Sequence, residues 1–414
     1  GKPLKGGGGG ILYSASFLEW GGGGARRVYG DVIPGGGGDR RILVLKQPGG
    51  GGGIITPWNF PSAMGGGGVG AALAAGLTIP HIKGGGGAHS VFLLLQLANQ
   101  AGIPAGVYNV VPGGGGQTPA VGEVLCGGGG VSKISFTGST GGGGGHDFSL
   151  PSMGGGGVHR LCCPQILGGG GAGTVKRVSM ERGGGGPFIV FDSANMGGGG
   201  AGALASKYRN SGQTGGGGNR FLVQKGIHGG GGEKFAKAIE RERGGGGGFD
   251  AKTTQGPGGG GKAVEKVERH INDAGGGGAS VVTGGKRHGG GGDFFEPTLL
   301  SNGGGGGLCT QEETFGPGGG GIKFETGGGG VAIANAANSC ICVYGGGGVY
   351  SQDPAQIWRG GGGLEVGMVG VNEGGGGSVE SPFGGVKGGG GGREGSKYGI
   401  DGGGGGKYVC FGGL

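Results

Sequence analysis

Glycine supplies 139 of the 414 residues, and most of it stands in runs of four or five. A uniformly glycine-rich chain cannot hold a packed core, because each glycine adds backbone entropy to the unfolded state and no side chain to the folded one. There is no Gly-X-Y period and no proline enrichment, which excludes a collagen triple helix. The runs recur at intervals of roughly 14 residues, yet the sequence between them changes completely, unlike a solenoid repeat. They read as substituted positions within an otherwise ordinary sequence, with an array of flexible linkers as the alternative.

Between the runs, apolar and charged residues stand in the balance of a globular protein, and the length leaves room for two or more domains. The net charge of +8 has no long basic run behind it. Arg26-Arg27, Arg40-Arg41 and Arg241-Glu-Arg243 are short and interleaved with acids, the pattern of a solvated surface and not of a nucleic-acid face. Seven cysteines at uneven spacing form no disulfide framework, and a reducing, matrix-like compartment fits them. The longest apolar stretch, Val91 to Leu97, is too short to span a membrane. Gly1-Lys-Pro-Leu4 resembles the inside of a domain and shows no targeting signal, so a transit peptide is expected upstream.

Strand and helix patterns alternate. Ile54-Ile55 predicts a short strand leading into Thr56-Pro-Trp-Asn-Phe-Pro61, where two prolines bracket an exposed loop, and Val69 to Ala75 predicts a small-residue helix. Val91 to Ala101 predicts a second helix, stopped by Gly102 and Pro104. Val107 to Val111 and Ile134 to Phe136 predict strands, as do the apolar stretches at Val178, Ile189 to Phe191 and Val281-Val282. Glu233 to Arg243 and Lys262 to Ala274 predict amphipathic helices. This alternation points to the α/β class with largely parallel sheets.

Four short motifs carry chemistry. Thr137-Gly-Ser-Thr140 follows a strand and is placed to open a helix, where small residues let backbone amides approach a pyrophosphate; a plain turn uses the same residues. Glu181 follows the strand Val178-Ser-Met180 and precedes a glycine turn, which suits a partly desolvated general base and equally an exposed loop acid. Asn59, between Trp58 and Phe60, can aim its NH2 at an oxyanion or satisfy its own turn. Glu312-Glu-Thr-Phe-Gly-Pro317 combines acids, an aromatic wedge and a turn, and reads otherwise as a helix end entering a loop.

Taken together and in this order, the motifs resemble the aldehyde dehydrogenase superfamily. The matching residues are Thr56-Pro-Trp-Asn-Phe-Pro61, Ala101 to Pro112, Phe136-Thr-Gly-Ser-Thr140, Met180-Glu181, Gly212-Gln-Thr214, Glu312 to Pro317 and Ser381-Pro-Phe-Gly-Gly385. Lys207 to Thr214, Tyr350 to Arg359, Leu364 to Glu373 and Arg393 to Asp401 are similar to the semialdehyde-oxidising members. Most glycine runs keep the family's register, which supports substitution over insertion.

The resemblance implies an α/β protein of the aldehyde dehydrogenase fold. A Rossmann-like cofactor domain would occupy residues 1–181, lacking roughly a hundred N-terminal residues, and a catalytic α/β domain would occupy 182–387. A small oligomerisation element would combine the strand 39–48 with the segment 388–414, giving a homotetramer in the mitochondrial matrix. The implied activity is NAD-dependent oxidation of succinic semialdehyde to succinate, without metal. A cysteine thiolate at the position of Gly215 would attack the aldehyde carbon, and Asn59 with the nucleophile's backbone N–H would hold the oxyanion. Hydride would pass to a nicotinamide whose ribose binds Glu313, with Phe315 nearby, and Glu181 would activate water to hydrolyse the thioester. Arg209 matches the carboxylate clamp, its guanidinium gripping the substrate's remote carboxylate; a surface salt bridge is its other reading. Gly67 falls at an expected second arginine, and Gly377, beside Ser378, at an expected substrate-binding serine. Thr56, Trp58, Gly138, Ser139 and Thr140 match cofactor-binding positions.

The chain departs from the family in several places. Ile82 occupies a cofactor-binding lysine position and Lys83 is displaced from it by one. Arg182 replaces a leucine beside the base and is expected to lower the carboxyl pKa. Residues 141–173 exceed the family's connection by on the order of 20 residues, and 338–349 are also extended. These segments hold Cys162, Cys163, Cys340 and Cys342, which read as aberrant sequence or as metal ligands. Three rival functions remain: a different semialdehyde or broad-range aldehyde dehydrogenase, which would share every motif except the Arg209 context, a catalytically inactive binding or structural relative, and a glycine-rich interaction protein without cooperative unfolding.

Overall fold

The computed structural model describes residues 1–84, 87–113, 118–138, 175–242, 244–336, 346–375, 377–387 and 390–414. After a helix over Leu4–Ala25, the chain runs through β1 (Asp31–Pro34), β2 (Arg41–Pro48), β3 (Gly52–Thr56), β4 (Ile79–Gly84), β5 (Tyr108–Gly113), β6 (Lys133–Gly138), β7 (Arg177–Arg182) and β8 (Gly186–Val190). It continues through β9 (Gly218–Gln224), β10 (Ser280–Thr283), β11 (Thr298–Ser301), β12 (Gly318–Phe324), β13 (Gly346–Tyr350), β14 (Met368–Val371), β15 (Gly390–Gly391) and β16 (Gly404–Phe411).

Three sheets result. A six-stranded sheet has the order β15-β7-β6-β3-β4-β5, and a seven-stranded sheet the order β10-β11-β12-β9-β8-β13-β14. Among the described residues only β15 and β10 run antiparallel to their neighbours in these two sheets. Parallel sheets are covered by helices on both faces, so their strands are apolar on both sides. β8 shows this directly: Phe188 and Val190 enter one buried cluster with Phe221 and Tyr350, while Ile189 and the following Phe191 enter another with Leu222 and Phe324. Phe188 is 1% exposed, and truncating such a side chain to alanine costs about 3 to 5 kcal/mol. The chain crosses from β7 to β8 over three glycines, the first, Gly183, with φ of 66°.

The third sheet is an antiparallel ribbon in the order β1-β2-β16. The segment 388–414 does more than supply its last strand. β15 pairs Gly390 with Glu181 in the six-stranded sheet, and Glu394 reaches the Ser135 hydroxyl on β6.

Several glycine runs lie inside regular elements, which overturns the linker reading for them. Gly65 to Gly68 are buried within the helix Pro61–Ala74, and Gly318 to Gly321 form the buried first half of β12 between β11 and β9. On the outer turns of the first helix, a Cβ at Gly7, Gly8, Gly9 or Gly10 would meet no atom within 4 Å. Each glycine inside a helix costs about 1 kcal/mol relative to alanine, so tertiary packing and not local propensity maintains these elements.

Candidate functional site

A cavity of about 1420 Å³ brings together Trp58, Asn59, Gly138, Arg209, Gly215, Glu313, Phe315 and Gly377. Small-molecule sites are usually about 300 to 1,000 Å³. Walls at Gly6, Gly9, Gly10, Gly215, Gly216 and Gly374 carry no side chains, which accounts for the extra space.

The wall at Gly215 begins with a strained turn. Asn210 and Ser211 adopt φ of 55° and 56°, and Gly212 follows with φ of 74°. Left-handed non-glycine residues cost about 1 to 3 kcal/mol each and persist only where surroundings enforce them. Here Ser211 Oγ donates to the Gly256 carbonyl at 2.8 Å and accepts from the Gly256 N–H at 2.9 Å. Asn210 Nδ2 reaches the carbonyls of Asn59 at 3.3 Å and Gln213 at 3.2 Å. Position 212 requires glycine for a second reason: a Cβ there would overlap the Gly316 carbonyl.

Two cations share one aromatic ring at this wall. Lys2 Nζ lies 3.8 Å from the Phe60 centroid and Arg209 Cζ lies 5.2 Å from it, both within cation–π range. Lys2 also donates to the Asn59 carbonyl at 2.6 Å. Among the described residues neither cation forms an ion pair, so the salt-bridge reading of Arg209 is not what the structure shows. Burial first, and the Arg209 charge second, pull the Lys2 pKa down to about 8. Asn59, 8% exposed, donates through Nδ2 to the Gln213 carbonyl at 2.9 Å.

Glu181 is not a loop acid. It sits in β7, 3% exposed, and accepts from Thr137 Oγ1 at 3.3 Å. Burial, then the charge of Glu394, raises its pKa well above 4.5, outweighing the Thr137 hydrogen bond and the opposing Arg393 charge. The expected lowering by a neighbouring cation is therefore corrected: desolvation wins, and the side chain of Arg182 lies outside the described residues. Glu181 does not itself line the cavity, whereas Thr137 and Gly183 do.

Among the other expected positions, Thr56, Gly67, Ile82, Lys83 and Ser378 do not line the cavity. A Cβ at Gly67 would stand 3.1 Å from Glu394 Oε2 and 3.7 Å from Phe17 Cζ, so this position looks into helix packing. Thr56 is buried against His81 Nε2 at 2.9 Å. Ile82 belongs to an apolar cluster with Ile55 and Phe136, and Lys83 is 0% exposed. Ser378 turns to Ser381 Oγ at 2.9 Å, while Gly377 faces Tyr13 Oη, 3.1 Å from a Cβ placed there. Ser139, Thr140, Cys162, Cys163, Cys340 and Cys342 lie outside the described residues.

The residues present fit the nicotinamide end of a dinucleotide. Glu313, Phe315 and Trp58 line the same wall, and the two rings meet edge to face with centroids 6.0 Å apart. A Cβ at Gly184 would overlap both Glu313 Oε1 and the Gly215 carbonyl, so the carboxylate stands next to the position expected for the nucleophile. The adenosine end is not matched by Ile82 or Lys83, which are packed inside the sheet.

Sequence reasoning missed Lys2 and Tyr13. Gly6, Gly9, Gly10 and Tyr13 fall at helical spacing and line the cavity, but the glycines erase the stripe that would have marked this face. Tyr13 has its pKa raised to about 12, chiefly by burial and then by Glu394 and Glu181.

The chain matches the model of the aldehyde dehydrogenase family over residues 1–144 and 165–403. The internal unmatched stretch falls inside the segment 141–173 read as an addition. The chain is 58% identical over 414 residues to the mitochondrial succinate-semialdehyde dehydrogenase of Rattus norvegicus, covering 100% of this chain and 74% of that protein. It superposes on an NADP-dependent enzyme of E. coli with a TM-score of 0.89 and 42% identity, over 100% of this chain and 80% of the other. It superposes on betaine aldehyde dehydrogenase of Staphylococcus aureus, solved with NAD+, with a TM-score of 0.87 and 27% identity, over 100% and 77% of the two chains.

Proposed function

The chain belongs to the aldehyde dehydrogenase family, and from that premise we propose that its cavity is the site for oxidising succinic semialdehyde to succinate with NAD. The observation that carries the substrate is the pair of cations on Phe60, Lys2 and Arg209, neither ion-paired among the described residues. A remote carboxylate supplies the missing counter-charge, and an uncharged aldehyde does not. Likeness to the rat enzyme supports the same substrate.

Each residue then has a task. Arg209 and Lys2 hold the carboxylate and orient the aldehyde toward position 215. One N–H of Asn59 Nδ2 is engaged with Gln213, which leaves the second to face an oxyanion. Glu313 binds the ribose hydroxyls, and Phe315 with Trp58 packs against the nicotinamide. The bound dinucleotide supplies a hydride acceptor. Glu181 takes a proton from water once it has lost its own. With glycine at 215 the chain has the binding architecture of the site but no thiol to form the covalent bond.

The reading takes a homotetramer in mitochondria as its setting. The rat enzyme's location supports the compartment, and the exposed Val32 and Ile33 on β1 and Tyr408 and Phe411 on β16, the two outer strands of the antiparallel ribbon, support assembly through that ribbon. The test is the Gly215→Cys variant challenged with succinic semialdehyde or butanal. Intact mass should show a covalent adduct that forms at much lower concentration with the carboxylated aldehyde. Equal reactivity toward both aldehydes would remove the substrate assignment, and titration with NADH against NADPH decides the cofactor.

A further inference from the structure

Glu313 is set in a segment that does not hold itself in place. Phe315, two residues on, has φ of 46°, a strained backbone state that must be enforced from outside. The enforcing group is a buried side chain on another element. Asn219, on β9 and 4% exposed, donates through Nδ2 to the Glu312 carbonyl at 3.0 Å. Its Oδ1 accepts from the Thr314 N–H at 3.3 Å. One carboxamide therefore ties the residue before Glu313 and the residue after it.

The orientation of that carboxamide is dictated by charge. Lys207, the last residue of the helix Met196–Lys207 and 3% exposed, donates from Nζ to the same Oδ1 at 2.8 Å. A flipped amide would set its NH2 against an ammonium and an N–H, three donors without an acceptor. From the other side His270, 1% exposed, meets Thr314 Oγ1 through Nδ1 at 3.2 Å and Glu312 Oε2 through Nε2 at 3.3 Å. Burial holds His270 neutral, with its pKa pulled down to about 4. Nε2 then carries the proton toward the carboxylate, and Nδ1 accepts from the Thr314 hydroxyl.

We propose that Asn219, oriented by the buried Lys207 ammonium, is the positioning residue that presents Glu313 to the nicotinamide-side ribose of the dinucleotide. The inference rests on the cofactor reading above. A buried ammonium is expensive where an apolar side chain would pack, so its presence calls for a partner. Burial draws the Lys207 pKa down to about 8, and the Glu313 charge is the largest effect opposing that fall.

Calorimetric titration with NADH, ADP-ribose and ADP tests this, because ADP lacks the second ribose. For Asn219→Ala, NADH and ADP-ribose should bind about tenfold more weakly, the loss expected when a supporting hydrogen-bond partner is removed, while ADP binding holds. Asn219→Asp keeps the acceptor for Lys207 but sets a carboxylate oxygen against the Glu312 carbonyl, so NADH and ADP-ribose should weaken at least as much as in Asn219→Ala, again without loss of ADP. If Asn219→Ala does not fold, the volume-conserving Lys207→Met carries the same expectation. Equal losses for all three ligands, or none, would overturn the assignment. A wild-type chain that binds ADP-ribose no better than ADP would likewise overturn it, and one that binds none of the three removes the cofactor reading itself and this inference with it.

Discussion

Asn59 and Gln213 are joined by a 2.9 Å hydrogen bond from a buried side-chain amide to a backbone carbonyl, across a sequence separation of 154 residues. The bond locks the loop after β3 to the strained turn before Gly215. It makes the proposed oxyanion donor and the proposed position of the nucleophile parts of one hydrogen-bonded unit, with Asn210 bonded to both partners' carbonyls.

Replacing Asn59 by alanine is expected to loosen that unit. The Gln213 carbonyl keeps only the weaker Asn210 contact, so urea unfolding should show a loss of about 1 to 3 kcal/mol. In the Gly215→Cys background the same change should also slow adduct formation. An unaltered unfolding midpoint would show that the bond carries no net stability.

The chain carrying Gly215 should not oxidise aldehydes. Ser211 Oγ is engaged with Gly256, and Thr214 Oγ1 with the Arg209 carbonyl at 3.3 Å; among the described residues no general base bonds either hydroxyl, and an unactivated hydroxyl is a poor nucleophile. Among the described residues the cysteines are Cys126 and Cys309, both buried, and the exposed Cys410, and none lines the cavity. Gly215→Cys should introduce a thiol that iodoacetamide alkylates, located by peptide mapping. Robust NADH production by the unaltered chain would require a different nucleophile.

Arg209→Ala in the Gly215→Cys background should weaken reaction with succinic semialdehyde by about 2 kcal/mol, the lower end for a charge pair because Arg209 opens to the cavity. Butanal should be affected little. Matching losses for both aldehydes would assign Arg209 to the turn's stability instead of substrate binding.

The buried carboxyls predict a particular pH dependence. Glu181 and Glu394 both have raised pKa values, with burial the leading cause. A carboxyl whose folded pKa is raised keeps its proton in the folded state after the unfolded chain has lost it. Stability is therefore greatest below the unfolded value and falls as pH rises through the raised folded one. Urea midpoints compared at about pH 5 and about pH 8 should fall with pH, and Glu181→Gln should flatten that slope. An unchanged slope would place the titration elsewhere. Because the base must first lose this proton, hydrolysis of an acyl group on the thiol introduced by Gly215→Cys should accelerate with pH, and Glu181→Gln should stall it.

The α/β class is legible in the alternation of strand and helix patterns, and the motifs whose resemblance points to Asn59, Arg209, Glu313 and Phe315, all of which line the cavity, are legible because each is contiguous. Prolines bracket Trp58 to Phe60, small residues end β6, and a glycine with a fixed left-handed backbone precedes Gln213. Such constraints are local, so they survive even where whole turns of neighbouring helix are glycine. The placement of Glu181 beside Glu394, the Lys2 and Arg209 pair on Phe60, and the hold of Asn219 and Lys207 on the Glu313 segment are decided by folding alone. They depend on desolvation and on hydrogen bonds between residues far apart in the chain, and those have no periodicity or spacing to read. Gly67 shows the same limit from the other side: its register matches an arginine, but the helix that carries it turns that position toward Glu394 and away from the cavity.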